Sequence, residues 1–526
     1  MRQMVPNGPN GGSEGPNLWE LVEWRAAETP GHELAVDDAG RRMTFAEYRV
    51  ACERVAAGLA ALGIVTESRV SWQLPTWLES VVLVGALARL GVVQNPMLPI
   101  YGEREMRFIT EQFAPTLYVT PSTWHDFDYE ATARALAGAK ARFEVITCDR
   151  GTGLPEGDPA SLLPYVAPPS KTIRWVFYTS GTTADPKGAQ HTDQSVLAAA
   201  LGAIEAIAMD ADDRSAVVFP LTHIGGILSV VESLVTGSSM VLIEAFDPAT
   251  TIPVLAREAA TLVGAGTPFF LAYLYAQRAN PETPLFARAR AYPAGGMPKP
   301  PEIHFEVKRE LGGAGVISGY GMTECPVLSM NTIRDPDDKL ATTEGLPTRG
   351  VDVRVVRLDG QPAVPGEVGE LRVNGPMLFQ GYLDPSLDAP AFDDEGYLRT
   401  GDLGFRDPDG YVVITGRVKD IIIRKGENIS AQEVESLLYL HEKVADVAVI
   451  GLVDLDTGER CCAVVVPSDS SDPPDLMELT QFLRDHGLMP QKLPEQLELL
   501  HALPRNPTGK VLKHELRERF TERVDR

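Results

Sequence analysis

The 526-residue sequence is poor in cysteine and in lysine. Its five cysteines (Cys52, Cys148, Cys325, Cys461 and Cys462) are odd in number, scattered, and never spaced C-x2-C. This excludes a disulfide framework and the common zinc arrangements, and reduced thiols in a cytoplasmic protein are expected. Lysine supplies only 12 of the 48 cationic residues, and 72 Asp+Glu leave a formal net charge of −24. The arginine-heavy, alanine-rich bias fits a GC-rich bacterial genome. So acidic a surface repels phosphodiester backbones and anionic lipid, so neither nucleic acid nor a stable membrane association is expected. Any phosphate handling then falls to local backbone and a few placed cations. Long apolar runs are missing too: the most apolar stretch, Ser80 to Val93, is short, carries Arg89 and reads as a buried helix. Met1 to Asn17 has no apolar core, which excludes a signal peptide and suggests a flexible tail over residues 1–17. Gly11-Gly12-Ser13-Glu14-Gly15 spells G-x-S-x-G, but it has neither the strand before nor the helix after that a hydrolase serine needs.

What remains is 44% hydrophobic and 23% charged, ordinary globular values for a chain too long for one core. Thr44 and Glu47 spell a capping box, followed by one helical face of Tyr48, Cys52, Val55, Leu59 and Leu62. Val70–Leu74 reads as a strand, and Glu79–Leu90 as a helix ended by Gly91. Further strands are predicted at 173–178, 216–219, 240–243 and 316–317, with helical patterns between most of them. This alternation predicts a parallel, doubly wound α/β sheet with ligands at the strand C-terminal ends. From about residue 345 to 418 the text turns β-rich, with strands at 351–358, 369–374 and 411–415 and turns at Asp359-Gly360 and Asp407-Pro408-Asp409-Gly410. Residues 419–526 read as a small α+β domain, in which Ser430 and Glu433 spell a second capping box. Strands at 444–450 and 462–466 and a helix at 476–485 complete it.

The strongest chemical signal is Thr179-Ser180-Gly181-Thr182-Thr183, continuing through Asp185-Pro186 to Lys187, directly after an apolar strand. Glycine and small hydroxyl residues let backbone N–H groups approach a phosphate, and Lys187 adds a point charge. It is not a Walker A loop, because Pro186 and Gly188 stand where that loop needs Gly and Ser/Thr. Downstream follow Gly295-Gly296-Met297, Gly319-Tyr320-Gly321-Met322-Thr323-Glu324, Thr400-Gly401-Asp402, Arg417-Val418-Lys419 and Thr508-Gly509-Lys510.

In this order, from about Leu18 to Phe520, these motifs resemble the adenylate-forming superfamily of acyl-CoA synthetases, carrier-protein adenylation domains and beetle luciferases. The resemblance implies an AMP-binding N-terminal domain at 18–418, made of doubly wound α/β subdomains plus a small β-subdomain. A mobile C-terminal domain follows at 419–526, hinged at Lys419. It implies that Ser180–Thr183 and Lys187 hold phosphates and that Gly295, Gly296 and Met297 line adenine, which stacks on Tyr320. Thr323 lies near the α-phosphate, Glu324 binds Mg2+, and Asp402 and Arg417 hold the ribose. Lys510 reaches from the small domain to the attacking carboxylate. Gly426 lies beside pantetheine, with Arg424 and Lys425 either meeting CoA phosphates or serving as surface charges.

The implied reaction is adenylation of a carboxylic acid by ATP, with Mg2+, followed by transfer to CoA as the small domain re-docks. Around the acyl group stand His223, either a gate or a structural histidine, with Gly225 and Gly226. Gly321 replaces the tryptophan of acetate-specialised relatives, which predicts a wide pocket and a bulky hydrophobic acid. Three other readings stay open: loading of a separate carrier protein, catalysis of the thioester half-reaction alone, and a nucleotide-binding regulator without turnover. A homodimer also stays open.

Overall fold

The computed structural model describes residues 15–138, 142–179, 186–297, 299–424, 427–454, 458–505 and 511–521. Thr44 and Glu47 form their reciprocal capping box, with bonds of 3.2 and 2.8 Å, and open the helix Phe45–Ala61. Tyr48, Cys52, Val55 and Leu59 are buried along it, whereas Leu62 is the C-cap and is 57% exposed. Complete burial of such aliphatic side chains stabilises the fold by roughly 1.5–3 kcal/mol each. The next helix, Leu78–Leu90, ends at Gly91 with φ +73°. A Cβ on its Gly85 would lie 2.4 Å from the Cys52 sulfur, so this glycine lets the two helices touch. Arg89 is accommodated at the edge: it donates to the Leu163 carbonyl at 2.7 Å and stands 5.8 Å from the Trp19 and Tyr165 ring centres.

The large unit is built on three sheets. The six-stranded one runs 187–192, 173–179, 93–96, 69–72, 117–120 and 144–147; it is parallel except for the antiparallel edge strand Lys187–Thr192. A second places 214–217, 239–242 and 33–37 in parallel, and a third pairs 292–295 with 316–322 in parallel. Parallel bridges Ser215–Leu262, Leu262–Ala291 and Ala265–Ala294 stitch the second to the third. The doubly wound expectation therefore holds for the sheet centres, with antiparallel strands at the edges.

The β-rich segment is an antiparallel sheet of 352–356, 369–374, 398–406 and 412–417. Its third strand was not anticipated, because Thr400-Gly401-Asp402 reads as a turn; Gly401 has φ +69° and stands where the register shifts. The 3-10 turn Val418–Asp420 then leads into the C-terminal sheet of 421–424, 427–430, 444–454, 458–467 and 496–499.

Two expectations need correction. Asn17 is not part of a loose tail: it caps the helix Leu18–Glu28 with a full capping box and accepts from the Tyr165 hydroxyl at 2.7 Å. Ser430 and Glu433 make only half a box. Ser430 accepts from the Glu433 N–H at 3.3 Å, but the Glu433 carboxylate is taken by Lys492 at 2.6 Å. The Ser430 hydroxyl instead donates to the Thr415 carbonyl, which fastens the C-terminal unit to the β-subdomain beside Arg517–Asp420 at 2.9 Å.

Candidate functional site

The third sheet brings the motif residues together at its strand ends. Gly295 and Gly319 are register partners, and a Cβ on Gly295 would sit 3.2 Å from the Gly319 carbonyl oxygen. Tyr320 follows, and its hydroxyl donates to Asp402 Oδ2 at 2.6 Å. Arg417, register partner of Asp402 across the antiparallel pair, holds Oδ1 at 2.9 Å. Burial, and then the carboxylate, push the Tyr320 phenol well above its usual range. Each Asp402 oxygen still has a lone pair for a further donor.

Thr323 and Glu324 form the tight turn between strands 316–322 and 325–330, with Met322 opposite Cys325. Three groups hold this turn. The Phe379 N–H donates to the Glu324 carbonyl at 2.8 Å, and the Tyr382 hydroxyl donates to Glu324 Oε1 at 2.7 Å. His191 Nε2 lies 2.8 Å from the Thr323 carbonyl oxygen, and its Nδ1 lies 2.9 Å from Ser195 Oγ. A carbonyl can only accept, so Nε2 carries the proton and Nδ1 accepts. Burial pushes the His191 pKa down to about 4, which keeps it neutral. Lys187 begins the same strand as His191, opposite Thr179, and its Nζ lies 5.3 Å from the Tyr382 ring centre. Lys187 and Glu324 thus converge on Tyr382, whose segment is zipped to this strand by Gln190 N to Gly381 O (3.0 Å) and Leu383 N to Gly188 O (2.7 Å).

Gly296 has φ +79° and open space on its Cβ side, and Met297 packs where a Cβ on Gly266 would come within 2.8 Å of its sulfur. Met297, Arg417 and Lys419 line a crevice of about 280 Å³, closed from the C-terminal side by Val511, Lys513 and Arg517. Burial, then neighbouring Arg417, lower the Lys419 pKa.

Other expected site residues are placed differently. His223 is the N-cap of the helix Ile224–Thr236, its Nδ1 accepting from Gly225 N–H at 3.1 Å, and burial lowers its pKa to about 4. That geometry is its structural alternative. Gly226 does not widen a pocket: a Cβ there would fall 2.5 Å from the Leu221 backbone. The side-chain direction of Gly321 is likewise filled, with Val327 N at 2.4 Å, so exchanging indole for hydrogen leaves no void there. Arg424 is committed within the C-terminal unit, to the Gln491 carbonyl at 2.8 Å and to Glu495 at 2.5 Å. Ser180, Gly181, Thr182, Thr183, Lys425, Gly426 and Lys510 lie outside the described residues.

Sequence reading missed His191, Ser195, Phe379 and Tyr382. His191 had one usable signal, its place four residues beyond Lys187 on a strand leaving the phosphate loop. Tyr382 acts across 58 residues of chain and had none.

Among the described residues no group of three His, Cys, Asp or Glu side chains is placed to hold a metal, and no helix is long and apolar enough to cross a membrane. A Mg2+ site built on one carboxylate is another matter: with Oε1 taken by Tyr382, Glu324 could offer Oε2 to a cation.

Residues 22–383 match the AMP-binding enzyme family, and residues 433–510 match the AMP-binding enzyme C-terminal domain. The chain is 29% identical to the medium-chain fatty-acid–CoA ligase of Escherichia coli, with 97% of this chain and 91% of that protein aligned. It is 32% identical to the salicyl-AMP ligase / salicyl-S-ArCP synthetase of Mycobacterium tuberculosis, over 91% of this chain and 86% of that one. ATP-bound MatB from Rhodopseudomonas palustris matches with a TM-score of 0.87 and 28% identity, over 96% of this chain and 99% of that chain. The overlap spans both the α/β units and the small C-terminal domain, as the fold reading expected.

Proposed function

The chain belongs to the AMP-binding enzyme family, and on that premise we propose that it is an acyl-CoA ligase: it activates a hydrophobic carboxylic acid as the acyl-adenylate and passes the acyl group to CoA. The observation that carries this reading is the Tyr320–Asp402–Arg417 cluster at the Gly295 and Gly319 strand ends. In it Asp402 accepts the ribose hydroxyls, Arg417 pairs with the carboxylate at 2.9 Å, and Tyr320 offers its ring to adenine. Lys187 and the residues between it and Thr179 meet the β- and γ-phosphates. Glu324 and Thr323 face the α-phosphate side, and bound Mg2+ would supply charge neutralisation there.

The acid's carboxylate attacks the α-phosphorus in line, pyrophosphate leaves, and Lys510 neutralises the meeting of two anions. The C-terminal domain then turns about Lys419, withdrawing Lys510 and bringing Gly426 and Lys425 to the thiol. The thiolate attacks the acyl carbon and AMP departs, a displacement that a free carboxylate would not permit. Phe219 and His223 flank Gly225, where a Cβ would meet them at 3.4 and 3.3 Å, and this partly aromatic wall suits an apolar acyl group.

A second reading, transfer to a carrier protein, is favoured by the likeness to the salicyl-AMP ligase / salicyl-S-ArCP synthetase of Mycobacterium tuberculosis. An acid panel with ATP and Mg2+, offered CoA or a phosphopantetheinylated carrier protein, separates the two. The proposal expects acyl-CoA; thioester on the carrier alone would overturn it.

A further inference from the structure

Behind the nucleotide cluster lies a carboxylate that the reaction above does not use. Ser318 stands two residues before Tyr320 on the strand Val316–Met322, on the same pleat face, beside Ala294 of the neighbouring strand. Its hydroxyl donates to Glu344 Oε2. Lys299, two residues after Met297, donates to the Leu340 and Ala341 carbonyls, on the segment that leads to Glu344. Burial raises the Glu344 pKa, and the Lys299 charge and the Ser318 hydroxyl oppose that rise. Both backbone stretches flanking the expected adenine, Gly295–Met297 and Gly319–Tyr320, therefore lead to one carboxylate.

That carboxylate is held firmly at its main chain. Glu344 N–H donates to the Val412 carbonyl and its own carbonyl accepts from Ser329 Oγ, each at 2.8 Å. The next residue, Gly345, has φ +81°, and a Cβ there would lie 1.8 Å from the Met330 carbonyl carbon, so the loop has a single seat. Glu344 is half-buried, and its Oε1 has no hydrogen-bond partner among the described residues. A half-buried carboxylate with one oxygen occupied and the other open can still take a donor.

We propose that Glu344 is the nucleobase-reading residue of the site: its Oε1 accepts the exocyclic 6-amino group of adenine and excludes purines that carry a 6-oxo group. An ionised carboxylate is acceptor-only, so a 6-oxo oxygen in the same place meets a lone pair instead of a donor. The inference rests on the nucleotide reading above and extends it to base choice. The alternative role, a purely structural tie between Lys299, Glu344 and Ser318, predicts no base preference.

The test is calorimetric binding of ATP and of inosine triphosphate, without acid, to wild type, Glu344→Gln and Glu344→Ala, with thermal melts alongside. Wild type should bind ATP about 10- to 100-fold more tightly than inosine triphosphate. Glu344→Gln, whose amide can donate to a 6-oxo group, should bring the two within about threefold. The ratio is insensitive to a general loss of stability, and the near-isosteric Gln variant carries the measurement should the Ala variant not fold. Variants that keep the wild-type ratio would overturn this assignment alone. A wild-type protein that binds neither nucleotide would overturn it together with the proposed function.

Discussion

Glu324 and Tyr382 are joined at 2.7 Å, carboxylate to phenol, although 58 residues separate them in the chain. The same ring lies 5.3 Å from the Lys187 ammonium, so one tyrosine adjoins both the expected phosphate-binding lysine and the expected Mg2+ carboxylate. Tyr382→Phe removes the hydroxyl and keeps the ring. The apparent affinity for Mg2+ in the pyrophosphate-releasing step should change about 3- to 10-fold, consistent with a charge-assisted hydrogen bond. A magnesium titration checks this.

His191 anchors the turn from the other side. His191→Ala leaves the Thr323 carbonyl without its donor and should cost about 1–3 kcal/mol of stability, whereas His191→Gln, which can still donate, should recover part of it. Denaturant unfolding of the three proteins measures the difference.

Acid should weaken the fold through the same residue and through His223. Each has a folded pKa of about 4 against 6.5 in the unfolded chain, so the unfolded state binds the extra proton between those values. Their contribution is complete above pH 6.5 and is lost as pH falls toward 4. Melting curves over that range should show the decline, flattened in a His191→Gln/His223→Gln double variant.

Gly226→Ala and Gly321→Ala distinguish a structural role from a pocket-widening one. A Cβ at either glycine meets backbone at 2.4–2.5 Å, so each variant should lose about 1–3 kcal/mol of stability. Stable variants with altered acid preference would contradict the packing.

Arg424→Ala should loosen the C-terminal unit, because both terminal guanidinium nitrogens are bonded inside it, to Gln491 and Glu495. The KM for CoA should stay within about twofold, since the guanidinium charge is already paired with Glu495. CoA titration and melting read the two effects separately.

Local chemistry was legible at most places where it acts over a few residues; at Ser430–Glu433 it was not, because Lys492, 59 residues away, takes the Glu433 carboxylate. The capping box at Thr44, the Gly91 cap and the strand Gly369–Asn374 stand where periodicity and turn residues put them. Tyr320, Asp402 and Arg417 were each named by motif, and the fold brings them into contact. The strand Leu398–Arg406 was hidden because Gly401 supplies turn chemistry to a bulge inside it. The error at Gly321 has a similar origin. A missing side chain reads as empty space in a sequence, but here the Val327 backbone fills that space. His191 and Tyr382 escaped notice because their partners are 132 and 58 residues away.

The most direct test of the central claim is acid-dependent exchange of labelled pyrophosphate into ATP, run without any thiol. If the two lobes make an acyl-adenylate reversibly, label enters ATP only when a suitable carboxylic acid is present, and Lys510→Ala abolishes the exchange. No exchange with any acid, or exchange that requires CoA, would contradict the account.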